Sequence, residues 1–274
     1  MKTLLIISLE RGNTMYKSRV KLTSIFSSIL FIVGVCLLPA VADLSDPTLS
    51  VYYSFDKEGK TVEDGSVNGN DGIVEGNAKW EKGVIGNAIA LETNVWINMN
   101  GPEFKNAPVE GFTIAVWVNH TGSADPQTLL DAIGTGHGSG LYHMEIRPGG
   151  FRFFHRNNAN AAVFNINPGP VIEADKWVHF AGTYDSGSGD VITYIDGEKT
   201  HNAKGNGELS DDWGVTAGIG HHKNGRWYIG LLDEYYIFAR ALSVAELKEV
   251  MDGDFLSVEP EDKLATTWGD IKTR

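Results

Sequence analysis

Between Gly230 and Leu247 the apolar period of the chain changes from two to that of a helix, and few folds accept such a change in this order. In Gly230-Leu-Leu-Asp-Glu-Tyr-Tyr-Ile-Phe238, strict alternation puts Leu231, Tyr235 and Ile237 on one face of a strand and Leu232, Tyr236 and Phe238 on the other. Adjacent Asp233 and Glu234 are then expected on opposite faces. Asp233 falls among apolar residues, where a lone carboxylate is costly to bury unless a cation or hydrogen-bond donors meet it. Past Ala241 the pattern turns helical. Ser243 is placed to cap a helix Val244–Met251, with Glu246 at its third position to close a capping box and Leu247 and Val250 as the apolar side.

The rest of the chain supplies strands at the spacing that a two-sheet fold needs. Alternating or apolar runs occur at Leu49–Phe55, Ala88–Leu91, Val95–Met99, Phe112–Val118, Leu141–Ile146, Phe151–His155, Trp177–Tyr184 and Val191–Asp196. Arg147-Pro-Gly-Gly150 and Asp185-Ser-Gly-Ser-Gly-Asp190 read as hairpin turns between them. The 32 glycines are dispersed, as many short strands and tight turns require. Phe112, Ile114, Val116, Phe180, Tyr194 and Ile237 are expected in the core.

Three stretches in fixed order carry a resemblance. The first is Tyr53-Ser-Phe-Asp56, followed by Asp64-Gly-Ser-Val-Asn-Gly-Asn-Asp-Gly72 and by Gly83-x-x-Gly86-Asn-Ala-Ile-Ala-Leu91. The second is Trp177-Val-His-Phe-Ala-Gly-Thr-Tyr184 with Tyr194-Ile-Asp-Gly197, and the third is Asp233-Glu234 with Ala241-Leu-Ser243. Together they span Val51 to Met251, and they resemble the laminin-G-like jelly rolls of the concanavalin A-like class. The resemblance implies an all-β fold: an antiparallel two-sheet jelly-roll sandwich with a short C-terminal helix, its first strand beside its closing strand. It also implies a calcium ion where the N-terminal loop meets the Asp-Glu strand, with Asp56, Asn70, Asp71 and Asp233 as ligands. Asp64 and Glu75 are further oxygen donors nearby. The spacing from Asp64 to Glu75 also satisfies an EF-hand loop, but no amphipathic helix flanks it.

Met1–Ala42 reads as a signal peptide: Lys17, Arg19 and Lys21 precede the apolar run Ile25–Leu38, and Ala40-Val-Ala42 is a small-x-small cleavage site. A start at Met15 gives a more usual signal length. The apolar run is short for a membrane span, so export is the expectation, with the jelly roll over 43–253 and a C-terminal tail over 254–274. Cys36 is the single cysteine, so a chain cleaved after Ala42 forms no disulfide. The net charge of −12 argues against nucleic acid and anionic membranes as partners.

Catalytic signatures are weak. His221-His222 precedes Lys-Asn-Gly225, a turn, and His-Glu-x-x-His does not occur. A glucanase on this kind of sandwich uses paired carboxylates, expected as Glu-x-Asp-x-x-Glu on one strand. Here Glu145-Ile-Arg147 puts a basic residue at the second position. No catalytic residue is assigned. The expected function is that of a secreted recognition or adhesion module for a carbohydrate or an extracellular or surface protein. Trp213, His137, His221, His222 and Arg156, in or beside the loops Gly134–Gly140, Asn157–Ala161 and Trp213–Asn224, are the expected ligand-binding residues, provided that these loops share one end of the sandwich. The alternatives are a polysaccharide hydrolase or lyase, whose acids would come from separate strands, and a surface scaffold.

Overall fold

The computed structural model describes residues 44–136, 141–223 and 225–256, with the side chain of residue 256 excepted. The described residues form sixteen strands. Leu49–Tyr53 (β1), Thr61–Val62 (β2), Gly72–Glu75 (β3), Lys79–Lys82 (β4), Asn87–Leu91 (β5) and Trp96–Asn98 (β6) come first. Gly111–His120 (β7), Gln127–Ala132 (β8), Tyr142–Ile146 (β9), Arg152–Arg156 (β10) and Ala162–Ile166 (β11) follow. Val178–Asp185 (β12), Asp190–Ile195 (β13), Glu198–Lys204 (β14), Gly218–Ile219 (β15) and Gly230–Phe238 (β16) lead into the helix Val244–Asp252 (α1).

These strands build two antiparallel sheets. One has the order β14-β13-β12-β7-β16-β5-β4, with β1 also on β16; the other has the order β11-β10-β9-β8-β15-β6-β3-β2. Their facing side chains close one core that contains Phe112, Ile114, Val116, Phe180 and Ile237, as alternation along these strands requires. Tyr194 is buried elsewhere. It joins Tyr52, Tyr236, Phe238, Leu247 and Val250 in a second cluster on the outer side of the first sheet. There α1 lies on the sheet, and the Trp117 indole donates to the Met251 carbonyl at 3.2 Å. The middle of the outer face of the first sheet is therefore covered, whereas the partly exposed rings of Trp96 and Trp227 lie on the outer face of the second.

The predicted pairing of first and closing strands holds: Tyr53 is opposite Tyr235 and Val51 opposite Ile237. One edge of β16 is shared in tandem, because β5 pairs with Gly230–Leu232 and β1 with the segment from Tyr235. Asp233 and Glu234 fall in the gap between these two partners. A bulge in the β16–β7 register lies at the same point, with Glu234 at a φ of 50°. An extra residue in one strand resets its alternation. Asp233 pairs with Trp117, on the α1 side of the sheet, and Glu234 meets the hydroxyls of Tyr52 and Tyr236 from that same side. The two acids thus share a face, contrary to the expectation from strict alternation.

Candidate functional site

The expected calcium ligands divide into two pairs. Asp233 Oδ2 accepts the backbone N–H groups of Val84 and Ile85 at 2.8 and 3.0 Å. Asp233 Oδ1 is buried and has no hydrogen-bond partner among the described residues. Asp56 reaches the same turn, where its Oδ1 accepts Asn87 N at 2.8 Å. Gly83 and Gly86 make room for both acids, since a Cβ on either would collide with the Asp233 or the Asp56 carboxylate. Burial is the largest effect on Asp233, and with a smaller contribution from the Asp56 charge its pKa is raised to about 6. Glu234, also buried, is raised to about 7. Asp233 and Asp56, two acids held at one turn with one buried oxygen unmatched, offer the oxygen donors that a hard divalent cation takes.

Asn70 and Asp71 are committed elsewhere. The Asn70 amide donates to the Ser50 and Lys105 carbonyls and accepts Lys105 N, all at 2.8–2.9 Å. Asp71 Oδ1 accepts Asp64 N at 2.8 Å. Asp64 holds the loop together, accepting the N–H groups of Tyr52, Ser66 and Asn70. The oxygen-rich loop that the sequence suggests as a metal binder is closed in large part by its own hydrogen bonds.

The expected ligand surface is also rearranged. Trp213 is 1% exposed and stacks on Phe104 at 4.1 Å with Tyr142 at 4.8 Å, so it belongs to the core. His137 lies outside the described residues. Segments around Thr135, Asn158 and Asp212 do meet at one end of the sandwich. Thr135 N donates to Asp212 Oδ2 at 2.6 Å and Asn158 Nδ2 to Asp211 Oδ1 at 2.7 Å.

Arg156, His221 and His222 share the outer face of the second sheet. Arg156 and Arg152 both lie over the Phe154 ring, at 4.3 and 4.5 Å from its centroid, close enough for cation–π attraction. The segment after β15 folds back as a tight hairpin, in which His222 and Gly225 exchange backbone hydrogen bonds. It runs along β8, where Thr128 N donates to the Arg226 carbonyl at 3.0 Å. His221 is held between two partly exposed indoles, Trp96 at 4.8 Å and Trp227 at 4.7 Å. Gly218 permits the Trp96 position, as a Cβ there would meet the ring at 2.6 Å.

Beside this stack is a buried ionic array absent from the expected set. Asp131 on β8 and His143 on β9 are register partners, and His143 Nδ1 lies 2.7 Å from Asp131 Oδ1. The far nitrogen, Nε2, is 2.8 Å from Glu145 Oε1. Arg147 contacts Glu145 Oε2 at 2.7 Å through Nε, and Arg226 contacts its Oε1. His222 sits against the His143 ring at 5.1 Å. Burial opposes protonation of His143, but its two carboxylate partners outweigh burial and raise its pKa. Burial would likewise raise Glu145, yet hydrogen bonds from His143, Arg226 and Arg147 hold it well below the usual carboxylate range. The sequence signal for this array is the alternation Tyr-His-Met-Glu-Ile in β9, with apolar side chains inward and His143 and Glu145 outward.

Among the described residues no helix is long and apolar enough to cross a membrane. A family model described as the concanavalin A-like lectin/glucanases superfamily matches residues 91–248. A comparison with curated proteins found no match. Among solved structures, domain 4 of AbnA, a GH43 extracellular arabinanase from Geobacillus stearothermophilus in complex with arabinotriose, superposes with a TM-score of 0.58 at 18% identity, covering 74% of this chain and 98% of that one. The binding domain of botulinum neurotoxin DC in complex with SialylT gives 0.57 at 17% identity, over 77% of this chain and 52% of that one. A Trypanosoma rangeli sialidase mutant displaying trans-sialidase activity gives 0.57 at 17% identity, over 76% of this chain and 33% of that one. The chain thus spans nearly all of the first relative, about half of the second and a third of the last. At these identities the likeness is one of fold.

Proposed function

The chain belongs to the concanavalin A-like lectin/glucanase superfamily, and from that premise we propose that it is an exported carbohydrate-recognition module. Its binding surface is the outer face of the second sheet. The observation that carries this reading is the pair of partly exposed indoles, Trp96 and Trp227, clamped about His221 beside the buried Asp131–His143–Glu145 array. Aromatic rings offer the apolar faces of a sugar a flat surface. Partly exposed polar groups at their margin, Arg147 and Arg226, which the buried array holds in place, supply direction and selectivity. On the first sheet α1 covers the middle of the corresponding face, where Tyr52, Tyr194, Tyr236 and Phe238 pack beneath it. Arabinotriose and SialylT in the complexes of two neighbours are consistent with a glycan as the ligand class.

A calcium ion completes the reading. Asp56 and Asp233 would hold it beside the Gly83–Gly86 turn. When bound, it supplies positive charge to the buried Asp233 oxygen and joins the two ends of the domain.

A hydrolase is the second reading, favoured by one observation: Asp131 and Glu145 lie on one open sheet face. Against it, they are 1% and 0% exposed, and Glu145 is held ionised between two arginines, which suits a structural acid better than a proton donor. The deciding experiment is a glycan array followed by calorimetry, in parallel with reducing-end release from the best ligand. Binding without release, weakened about tenfold or more in Trp227→Ala, is expected. No glycan binding at all, or binding unchanged in Trp227→Ala, refutes this use of the face. Release that is lost in Glu145→Gln establishes the enzyme instead.

A further inference from the structure

Two imidazoles and one carboxylate converge at the floor of the second sheet's outer face. One ligand atom from each of Asp131, His143 and His222 lies within 4.8 Å of the others, and all three residues are buried. They come from β8, β9 and the hairpin after β15, so the fold gathers residues that are distant in sequence. The backbone sets each of them in place. Asp131 and His143 face outward as partners in the β8–β9 ladder. His222 is set by the backbone exchange with Gly225 and by the Thr128–Arg226 bond that lays the hairpin on β8.

We propose that Asp131, His143 and His222 form a binding site for a divalent ion of the zinc class. Three features favour it. The donor set of two imidazoles and a carboxylate suits zinc or a neighbouring transition metal, whereas calcium prefers oxygen donors throughout. Next, His143 carries an outer partner of the kind that metal-bound histidines have. Its Nε2 meets Glu145 Oε1 at 2.8 Å, which leaves Nδ1, the nitrogen facing Asp131, to bind the ion. Glu145 is in turn held by Arg147 and Arg226, so the ring orientation is fixed before any ion arrives. Finally, three protein ligands leave a coordination position for water or a ligand oxygen. The competing arrangement is an imidazolium shared between Asp131 and Glu145. It uses the same two contacts but does not require His222 at its side.

The site stands whether or not this face binds sugar, and the test uses the metal alone. The untagged full chain is stripped with chelator and titrated with zinc by calorimetry, with metal content measured after dialysis. One zinc per chain is expected, with a rise in melting temperature that chelator reverses. His222→Ala changes a surface hairpin rather than the core, so its fold is checked by circular dichroism and its affinity should fall at least tenfold. Glu145→Gln should weaken binding about tenfold, as loss of an outer partner does. Asp233→Asn, at the separate calcium position, should bind zinc as the parent does. Zinc retained equally by the parent and His222→Ala is adventitious and overturns the proposal, as does a parent that retains none.

Discussion

His155 is an imidazole enclosed by rings, with Tyr142 at 4.4 Å, Phe112 at 4.7 Å, Phe164 at 5.0 Å and Phe153 at 5.4 Å. It is fully buried, and neither ring nitrogen has a hydrogen-bond partner among the described residues. Burial drives its pKa well below the ordinary value. His179, against Trp117, is pulled down to about 3 for the same reason. Both are neutral in the native state near neutral pH. As pH falls below about 6.5 the unfolded chain binds protons that the native state refuses, so stability drops, by up to roughly 1.4 kcal/mol per pH unit for each group. For His179 the decline stops near its folded value of about 3. His155→Phe should remove one such contribution: the variant should be about 1 kcal/mol more stable at pH 7, through loss of unmatched polar atoms. Between pH 7 and 5 it should lose roughly 2 kcal/mol less than the parent. Urea unfolding at both pH values measures this, and parallel curves for the two proteins would contradict it. Single residues were also where sequence reading was weakest. Trp213 sits between turn residues and looks like a surface ring, yet it fills the space between Phe104 and Tyr142; chain position says nothing about which way a loop side chain packs.

Elements with an unbroken period were legible, and α1 most of all. Its expected cap is present in both halves: Glu246 N donates to Ser243 Oγ at 3.3 Å, and Ser243 N donates to Glu246 Oε2 at 2.7 Å. Leu247 and Val250 face the sheet, and Gly253 closes the helix at a φ of 75°, a conformation that glycine adopts without strain. Ser243→Ala should cost about 1 kcal/mol by loss of the cap. Denaturant midpoints measure the change, and an unaltered midpoint would mean that packing alone holds the helix. Elements with a broken period were not legible. In β8 the register shifts between Thr128 and Leu130, so Thr-Leu-Leu-Asp-Ala shows no alternation. Asp131, which faces outward there, cannot be told from a loop acid. The bulge at Asp233 and Glu234 hides the shared face of those two residues in the same manner. The site on the second sheet escaped notice because its parts lie on β8, β9 and a hairpin, each contributing one or two polar residues to an apolar or turn-like stretch.

At the scale of the molecule, the two ends of the domain are joined through β16. β1 pairs with its second half, and Arg240, just beyond it, bridges Asp46 at 2.7 Å and Glu246 at 2.8 Å. Arg240 is partly exposed, so this surface network contributes modestly. The turn holding Asp56 and Asp233 adds a third link, and under the calcium proposal it is the one that responds to the ion. Without a cation, the buried Asp233 carboxylate faces Asp56 and Glu234 across a few residues with one oxygen unmatched, which weakens the native state. An ion bound only by the folded chain stabilises it by about 2.7 kcal/mol at a hundredfold excess over its dissociation constant. For a domain of this size that corresponds to roughly 5–10 °C in melting temperature. Calcium should therefore raise the melting temperature of the parent, and chelator should lower it. Asp233→Asn keeps an acceptor for Val84 and Ile85 but removes the charge, so its melting temperature should be nearly the same in calcium and in chelator. Asp71→Asn, whose loop is closed by Asp64, should respond to calcium as the parent does. The reverse pattern, with Asp71→Asn insensitive to calcium and Asp233→Asn still responsive, would move the ion to the N-terminal loop. Melting unaffected by calcium in the parent would remove the ion altogether and leave the Asp233 oxygen as a cost that the β1–β16 pairing alone must offset.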